Sequence, residues 1–269
     1  MKIEFERRTV ANPFSLSGHG IHTGEAAEVT ISPGDRGVWF HHEGCEFPGT
    51  PTGVSKTPRS TWIGTVRTVE HLMSAMAAFE ITDAEISLSG PEMPILGGGS
   101  AEYCDALSCA GSKVIGSRKC SVFGRVQMLE GNQHISVSAG RGRWRYLFKA
   151  DKFPGDVEVH FDFSADDYSK AIAPSRTWCF ESEVEQIRAA GLGKGGNEEN
   201  TLIIGDTGYC NAAKSSDEPA RHKLLDCIGD LSLAGIPVQF LDVVAESTGH
   251  EMNVKAATRL AELCTWEVR

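Results

Sequence analysis

The order strand, strand, helix, strand, helix occurs twice along this chain, and that doubling restricts the fold more than any single motif does. In the first half, 27–32 alternates apolar and polar side chains as a half-buried strand, and 37–40 is a short apolar strand after the turn Pro33-Gly34-Asp35-Arg36. The spacing turns helical over 68–79, with Thr68 expected as N-cap, and returns to strand at Ala84–Leu88. A loop rich in Pro and Gly over 91–99 leads into a helix expected at Ala101–Ala110. The second half predicts strands at 121–129, 134–138, 144–148 and 157–163, a helix at 221–234, a strand at 238–244 and a closing helix at 253–263. Gly, Ser and Lys cluster over 111–119 between periodic segments, which sets a boundary there. The expectation is an α+β chain of two similar domains, 1–115 and 116–269, each a β-sheet packed against helices.

Composition removes several classes of function. The eight cysteines form no Cys-x-x-Cys pair, so neither a zinc knuckle nor a thioredoxin-like site is indicated. The first eight residues, Met1-Lys2-Ile3-Glu4-Phe5-Glu6-Arg7-Arg8, lack the apolar stretch of a secretory signal, so a cytoplasmic protein with free thiols is expected. The best candidate for a spanning helix, 231–244, is interrupted by Pro237 and Asp242. A net charge of −10, from 26 Lys plus Arg against 36 Asp plus Glu, repels a nucleic-acid backbone.

An extra β-α-β unit is expected at about 168–204: an extended stretch over 171–180, a short helix over 183–190 and a strand from Thr201. Its run Gly191-Leu192-Gly193-Lys194-Gly195-Gly196 lacks the Lys-Ser/Thr ending of a phosphate-cradling loop and reads as a turn. The unit is either a wall for an apolar substrate or a surface flap with its own small core.

Chemistry concentrates in Arg221-His222-Lys223-Leu224-Leu225-Asp226-Cys227-Ile228-Gly229-Asp230-Leu231, whose apolar positions recur at helical spacing. His222 and Asp226 then share a face one turn apart, with Asp230 a further turn along. An imidazole and a carboxylate so placed can grip one divalent metal, or form an ordinary helical pair worth a few tenths of a kcal/mol. A metal site needs a third ligand and a base. His71 follows Glu70 directly in the first turn of the helix over 68–79, where free backbone N–H groups favour an ionised carboxylate. His250 lies in a turn entering the last helix, whereas His41 and His42, at a strand end without an acid at ligand spacing, are assigned to the surface.

Thr68-Val69-Glu70-His71-Leu72, the 221–231 segment and Gly249-His250-Glu251-Met252-Asn253 resemble UDP-3-O-acyl-N-acetylglucosamine deacetylase. Gly18-His19-Gly20-Ile21-His22-Thr23-Gly24 and Ala171-Ile172-Ala173-Pro174-Ser175-Arg176-Thr177-Trp178 extend the likeness from about residue 7 to residue 264 in one unbroken order. The resemblance implies two α+β domains packed helix layer to helix layer, with the metal site at their junction. It also implies removal of the N-acetyl group from UDP-3-O-(hydroxyacyl)-N-acetylglucosamine, the committed step of lipid A synthesis in Gram-negative bacteria. His71, His222 and Asp226 are the implied ligands of Zn2+, with Fe2+ as the alternative metal. Glu70 is the implied general base and His250 the general acid oriented by Asp230. Thr177 is the implied donor to the oxyanion. Lys223, Trp178, Ile21 and His22 are the implied substrate contacts. The implied partner is the acylated UDP-sugar, met by a monomer at the inner-membrane surface with no nucleic acid and no integral membrane segment.

Four departures accompany the likeness. Ser247 stands where the family carries a basic residue for the diphosphate, and Leu96-Gly97-Gly98-Gly99-Ser100 replaces its Asp-Gly-Ser turn. The segment between Arg59 and Thr68 is shorter than usual, and Trp178 replaces a Phe. Two competing readings share the residues: a two-His-one-carboxylate Fe(II) oxygenase, which generally draws its ligands from strands, and a catalytically silent relative that binds acylated sugar nucleotides.

Overall fold

The computed structural model describes residues 1–149 and 155–267. Two five-stranded sheets carry one strand order. In the first, Phe14–His19, Ala26–Pro33, Ala84–Leu88, Val38–His42 and Cys45–Pro48 lie side by side; in the second, Arg125–Glu130, Gln133–Ala139, Leu241–Glu246, Arg143–Phe148 and Val157–Asp162 do. In each sheet the strand that comes last in the chain enters the middle, parallel to one neighbour and antiparallel to the other. A parallel neighbour requires a crossover, and a helix supplies it in both halves.

The first crossover is α1 (Glu70–Ala78), and α2 (Ala101–Ala110) follows the first sheet. After α3 (Tyr168–Ala171) and α4 (Val184–Ala189), α5 (Glu218–Ser232) is the second crossover and α6 (His250–Glu262) follows the second sheet. The chain is α+β, as its sequence pattern indicates. Alternation turns Val29 and Ile31 of the first sheet, and Trp144, Tyr146 and Phe148 of the second, into the core. From Glu70 to Met76 every residue of α1 is buried, and α5 is buried from His222 to Leu231 except at Lys223. Helices buried all round lie between layers rather than upon one. Their backbones touch at Gly229, where a Cβ would fall 2.2 Å from the Glu70 carbonyl oxygen. That approach brings His71 of one half beside His222 of the other.

Several local expectations change. The 111–119 stretch, read as a link, belongs to the strand Ser112–Val122, which pairs with Lys2–Val10 on one side and Cys264–Trp266 on the other. Its own side chains are mostly exposed, so apolar alternation is absent there; the apolar face comes from Ile3 and Phe5 across the ladder. The expected strand 121–129 breaks at Phe123-Gly124, with Gly124 at φ 85°, where the chain reverses into the second sheet. The expected strand 238–244 opens instead with the 3-10 turn Val238–Phe240. Thr68 is not the N-cap of α1: at φ 60° its hydroxyl donates to Glu92, and Val69 occupies the cap. His42 is buried rather than on the surface, its Nδ1 2.8 Å from the Thr65 hydroxyl.

In the extra unit, Thr177–Phe180 and Thr201–Gly205 pair in parallel, joined through the 3-10 turn Glu181–Glu183 and α4. The eight cysteines are free thiols. Among the described residues, no helix is long and apolar enough to cross a membrane.

Candidate metal centre

The first turn of α1 and the middle of α5 converge on one point. One ligand atom each from His71, His222 and Asp226 lies within 4.8 Å of the others, and all three residues are buried. Asp226 Oδ1 stands 3.5 Å from His222 Nε2 and 4.0 Å from His71 Nε2. Each imidazole is oriented from behind: His71 Nδ1 lies 3.1 Å from the Gly99 carbonyl and His222 Nδ1 3.1 Å from the Ser175 carbonyl. A carbonyl only accepts, so both Nδ1 atoms carry the hydrogen and both Nε2 lone pairs face the centre.

Asp226 Oδ2 accepts a 2.7 Å hydrogen bond from Lys223 Nζ, whereas Oδ1 is buried with no partner. A buried acceptor without a partner costs about 1–3 kcal/mol. Two imidazole lone pairs and that oxygen form the N/N/O donor set of a divalent cation, which satisfies all three at once. Protonation agrees: burial, reinforced by His222, lowers the His71 imidazole to about 4, and burial lowers His222 too. Both stay neutral, the form that binds metal. Burial opposes ionisation of Asp226, yet Lys223 and then His222 hold its carboxyl well below the usual range.

Glu70 and His250 face this centre from the first residues of α1 and α6. Glu70 Oε1 lies 3.9 Å from His250 Nε2, and Oε2 accepts a 3.0 Å hydrogen bond from the Thr61 backbone N–H. Behind His250, Nδ1 donates to Asp230 Oδ2 at 3.0 Å, an oxygen that also accepts from Asn253 Nδ2 at 3.0 Å. Burial raises Glu70 to about 8, opposed by His250 and aided by Asp230. Burial alone would lower His250, but Asp230, Asp226 and Glu70 outweigh it and raise the imidazole to about 9. Without a cation, burial thus favours the protonated form of Glu70, and the surrounding carboxylates favour the charged form of His250.

A cavity of about 930 Å³ opens from the centre. Glu70, His71, His222, Lys223, Asp226, His250 and Thr177 are among the polar residues that line it, and Ile21, Val184, Ile187 and Ile203 add apolar walls. Trp178 also lines it, packed edge-on against Phe148 and Phe180 at 5.2 and 5.4 Å between ring centres. His22 lines it too, with its Nδ1 buried and unpartnered. The Gly-rich turn closes over this side, Gly195 N donating to the Ile21 carbonyl at 3.0 Å. Of the residues to which the resemblance assigns a role, Asp230 alone is set back from the cavity, behind His250.

A family model for LpxC, described as UDP-3-O-acyl N-acetylglycosamine deacetylase, matches residues 7–262. The chain belongs to that family. It is 34% identical over 271 residues to UDP-3-O-acyl-N-acetylglucosamine deacetylase of Geobacter sp. (strain M21), covering 94% of this chain and 88% of that protein. It is 33% identical over 264 residues to the protein of the same name from Campylobacter hominis, covering 93% and 90%. The chain is accordingly a hydrolase of the deacetylase class.

Membership does not explain every residue around the site. Thr61 and Glu92 carry no periodic or motif signal, and Asn253 closes the 249–253 motif with no role assigned to it, yet each hydrogen-bonds a residue of the site. Glu92 is fully buried and accepts from the backbone N–H groups of His22 and Thr23 and from the Thr68 hydroxyl, tying the 18–24 loop to the start of α1. Ser247, at φ 50°, turns its hydroxyl to the Lys149 carbonyl.

Proposed function

We propose that this enzyme removes the N-acetyl group of a UDP-3-O-(hydroxyacyl)-N-acetylglucosamine, releasing acetate and a free sugar amine in the first committed step of lipid A synthesis. The observation that carries the reading is the unpartnered Asp226 Oδ1, converging with His71 Nε2 and His222 Nε2 beside Glu70. His71, His222 and Asp226 hold Zn2+, with Fe2+ as the alternative. When bound, such a cation supplies Lewis-acid chemistry, polarising the amide carbonyl, acidifying water and favouring ionised Glu70.

The remaining work falls to the chain's own groups. Glu70 takes the proton of the attacking water on Oε1, because Oε2 is already occupied by Thr61 N–H. Thr177, held by its backbone bond to the Gly98 carbonyl, offers its hydroxyl to the developing oxyanion. His250 begins charged and delivers its Nε2 proton to the departing sugar nitrogen, while Asp230 keeps Nδ1 protonated and stabilises the cation. Lys223 gives one hydrogen bond to Asp226, and an ammonium has three, so it also serves a substrate phosphate at the cavity wall.

Ile21 and the extra unit at about 168–204 enclose the acyl chain, with Trp178 and His22 framing the sugar nucleotide. Each buried methylene contributes about 0.8 kcal/mol. The halves 1–115 and 116–269 act as two domains of one monomer, one supplying Glu70 and His71, the other the remaining ligands and the acid. The enzyme works in the cytoplasm and meets the inner membrane only to collect its amphiphilic substrate. A base and a charged acid flanking the ligands favour hydrolysis, which needs one group to take a proton from water and another to give one to the leaving amine.

The experiment measures acetate released from the acylated UDP-N-acetylglucosamine and from UDP-N-acetylglucosamine without the acyl chain. Release from the acylated substrate at a far higher kcat/KM supports the reading. No release from it, or equal release from both, contradicts the reading.

A further inference from the structure

Thr61 lies outside every motif and outside both helix layers, in the turn before the short strand Trp62–Ile63, yet it is fully buried between them. Its backbone N–H donates to Glu70 Oε2 at 3.0 Å and its hydroxyl to Asp230 Oδ1 at 2.5 Å. Its carbonyl accepts from Val69 N at 3.1 Å, which fixes it to the start of α1. Asp230 is a carboxylate on α5 and fully buried, so the hydroxyl hydrogen points to it.

Each bond selects one oxygen of a carboxylate and leaves the other for chemistry. Glu70 keeps Oε1, the atom 3.9 Å from His250 Nε2; Asp230 keeps Oδ2, the atom that accepts from His250 Nδ1. We propose that Thr61 is a positioning residue that sets the base of one helix and the acid-orienting carboxylate of the other in a single hydrogen-bonded frame, Glu70–Thr61–Asp230–His250. The proposal rests on the deacetylase reading for its kinetics, but the frame itself is a statement about His250 that needs no substrate.

Thr61→Val keeps the backbone bond to Glu70 and removes only the bond to Asp230, whereas Thr61→Ser keeps both. With the acylated UDP-sugar, Thr61→Val is expected to lower kcat about tenfold or more while moving KM by less than roughly twofold, and Thr61→Ser to restore it. In a His250→Ala background Thr61→Val costs less than about twofold further, because its effect travels through that imidazole. Independently of turnover, the His250 Nδ1–H proton resonance of the metal-loaded protein is expected to move upfield in Thr61→Val and return in Thr61→Ser. If Thr61→Val does not fold, Thr61→Cys, with its weak S–H donor, takes its place in the same comparisons. An unmoved resonance overturns the proposal, as does a kcat loss that persists in full without His250. Absence of acetate release by the parent protein would contradict the substrate reading alone, since the resonance still decides the role of Thr61.

Discussion

Glu70 and His250 each open a helix beside the candidate metal centre, and their facing atoms, Oε1 and Nε2, stand 3.9 Å apart. In the proposed mechanism, a base that begins empty and an acid that begins loaded need that separation: close enough to serve one reacting amide, too far to bond each other. Glu70→Gln and His250→Ala are each expected to lower kcat by about 10²–10⁴ while the protein keeps its metal. Acetate release together with metal analysis checks this. A variant that lost activity only in proportion to lost metal would remove that residue from proton transfer.

Thr177 begins the first strand of the extra unit and lines the cavity. Replacing its hydroxyl by a methyl in Thr177→Val leaves the backbone bond to Gly98 intact and removes one donor. A lost oxyanion donor is expected to reduce kcat by about 10²–10³ with KM nearly unchanged. Steady-state kinetics that show equal changes in both would assign Thr177 to substrate binding.

Gly229 sets the spacing of α1 and α5. In an ordinary helix interior Gly→Ala stabilises by roughly 1 kcal/mol. Here the added Cβ meets the Glu70 carbonyl oxygen at 2.2 Å, backbone against backbone, so the helices must part. Gly229→Ala is expected to destabilise by about 1–3 kcal/mol, read as a lower urea midpoint with unchanged m-value. Activity falls with it, since Glu70 sits at the contact.

His22 makes stability depend on pH. Burial, then the charge of Arg67, lowers its imidazole from 6.5 to about 4. Between those values the unfolded chain binds a proton that the folded chain does not. The contribution is complete above pH 6.5 and is lost as pH falls toward 4, amounting to at most roughly 3 kcal/mol. Urea titrations of chelator-treated protein at pH 7 and 4.5 are expected to show a smaller drop for His22→Gln than for the parent. Equal drops would mean that His22 titrates normally.

The legible parts of the sequence were those where one chain segment carries its own signal. Ala101–Ala110 matches its expected span, and α5 shows its apolar spacing and its His222/Asp226 pair without help from elsewhere. Ser112–Val122 was illegible because its apolar face belongs to the N-terminal strand. Thr68 has the right residue type for a cap, but Glu92 takes its hydroxyl and leaves the role to Val69. Thr61 was invisible for a related reason: its two carboxylate partners, Glu70 and Asp230, lie 9 and 169 residues further along the chain, on different helices.

The direct measurement of the central claim is acetate release from the acylated UDP-sugar, taken with metal content, before and after chelation and again after Zn2+ is returned. If His71, His222 and Asp226 hold the working ion, release stops when the metal is stripped and returns at one Zn2+ per chain, and Asp226→Ala neither retains the metal nor recovers. Undiminished release from protein shown to be free of metal would contradict the account.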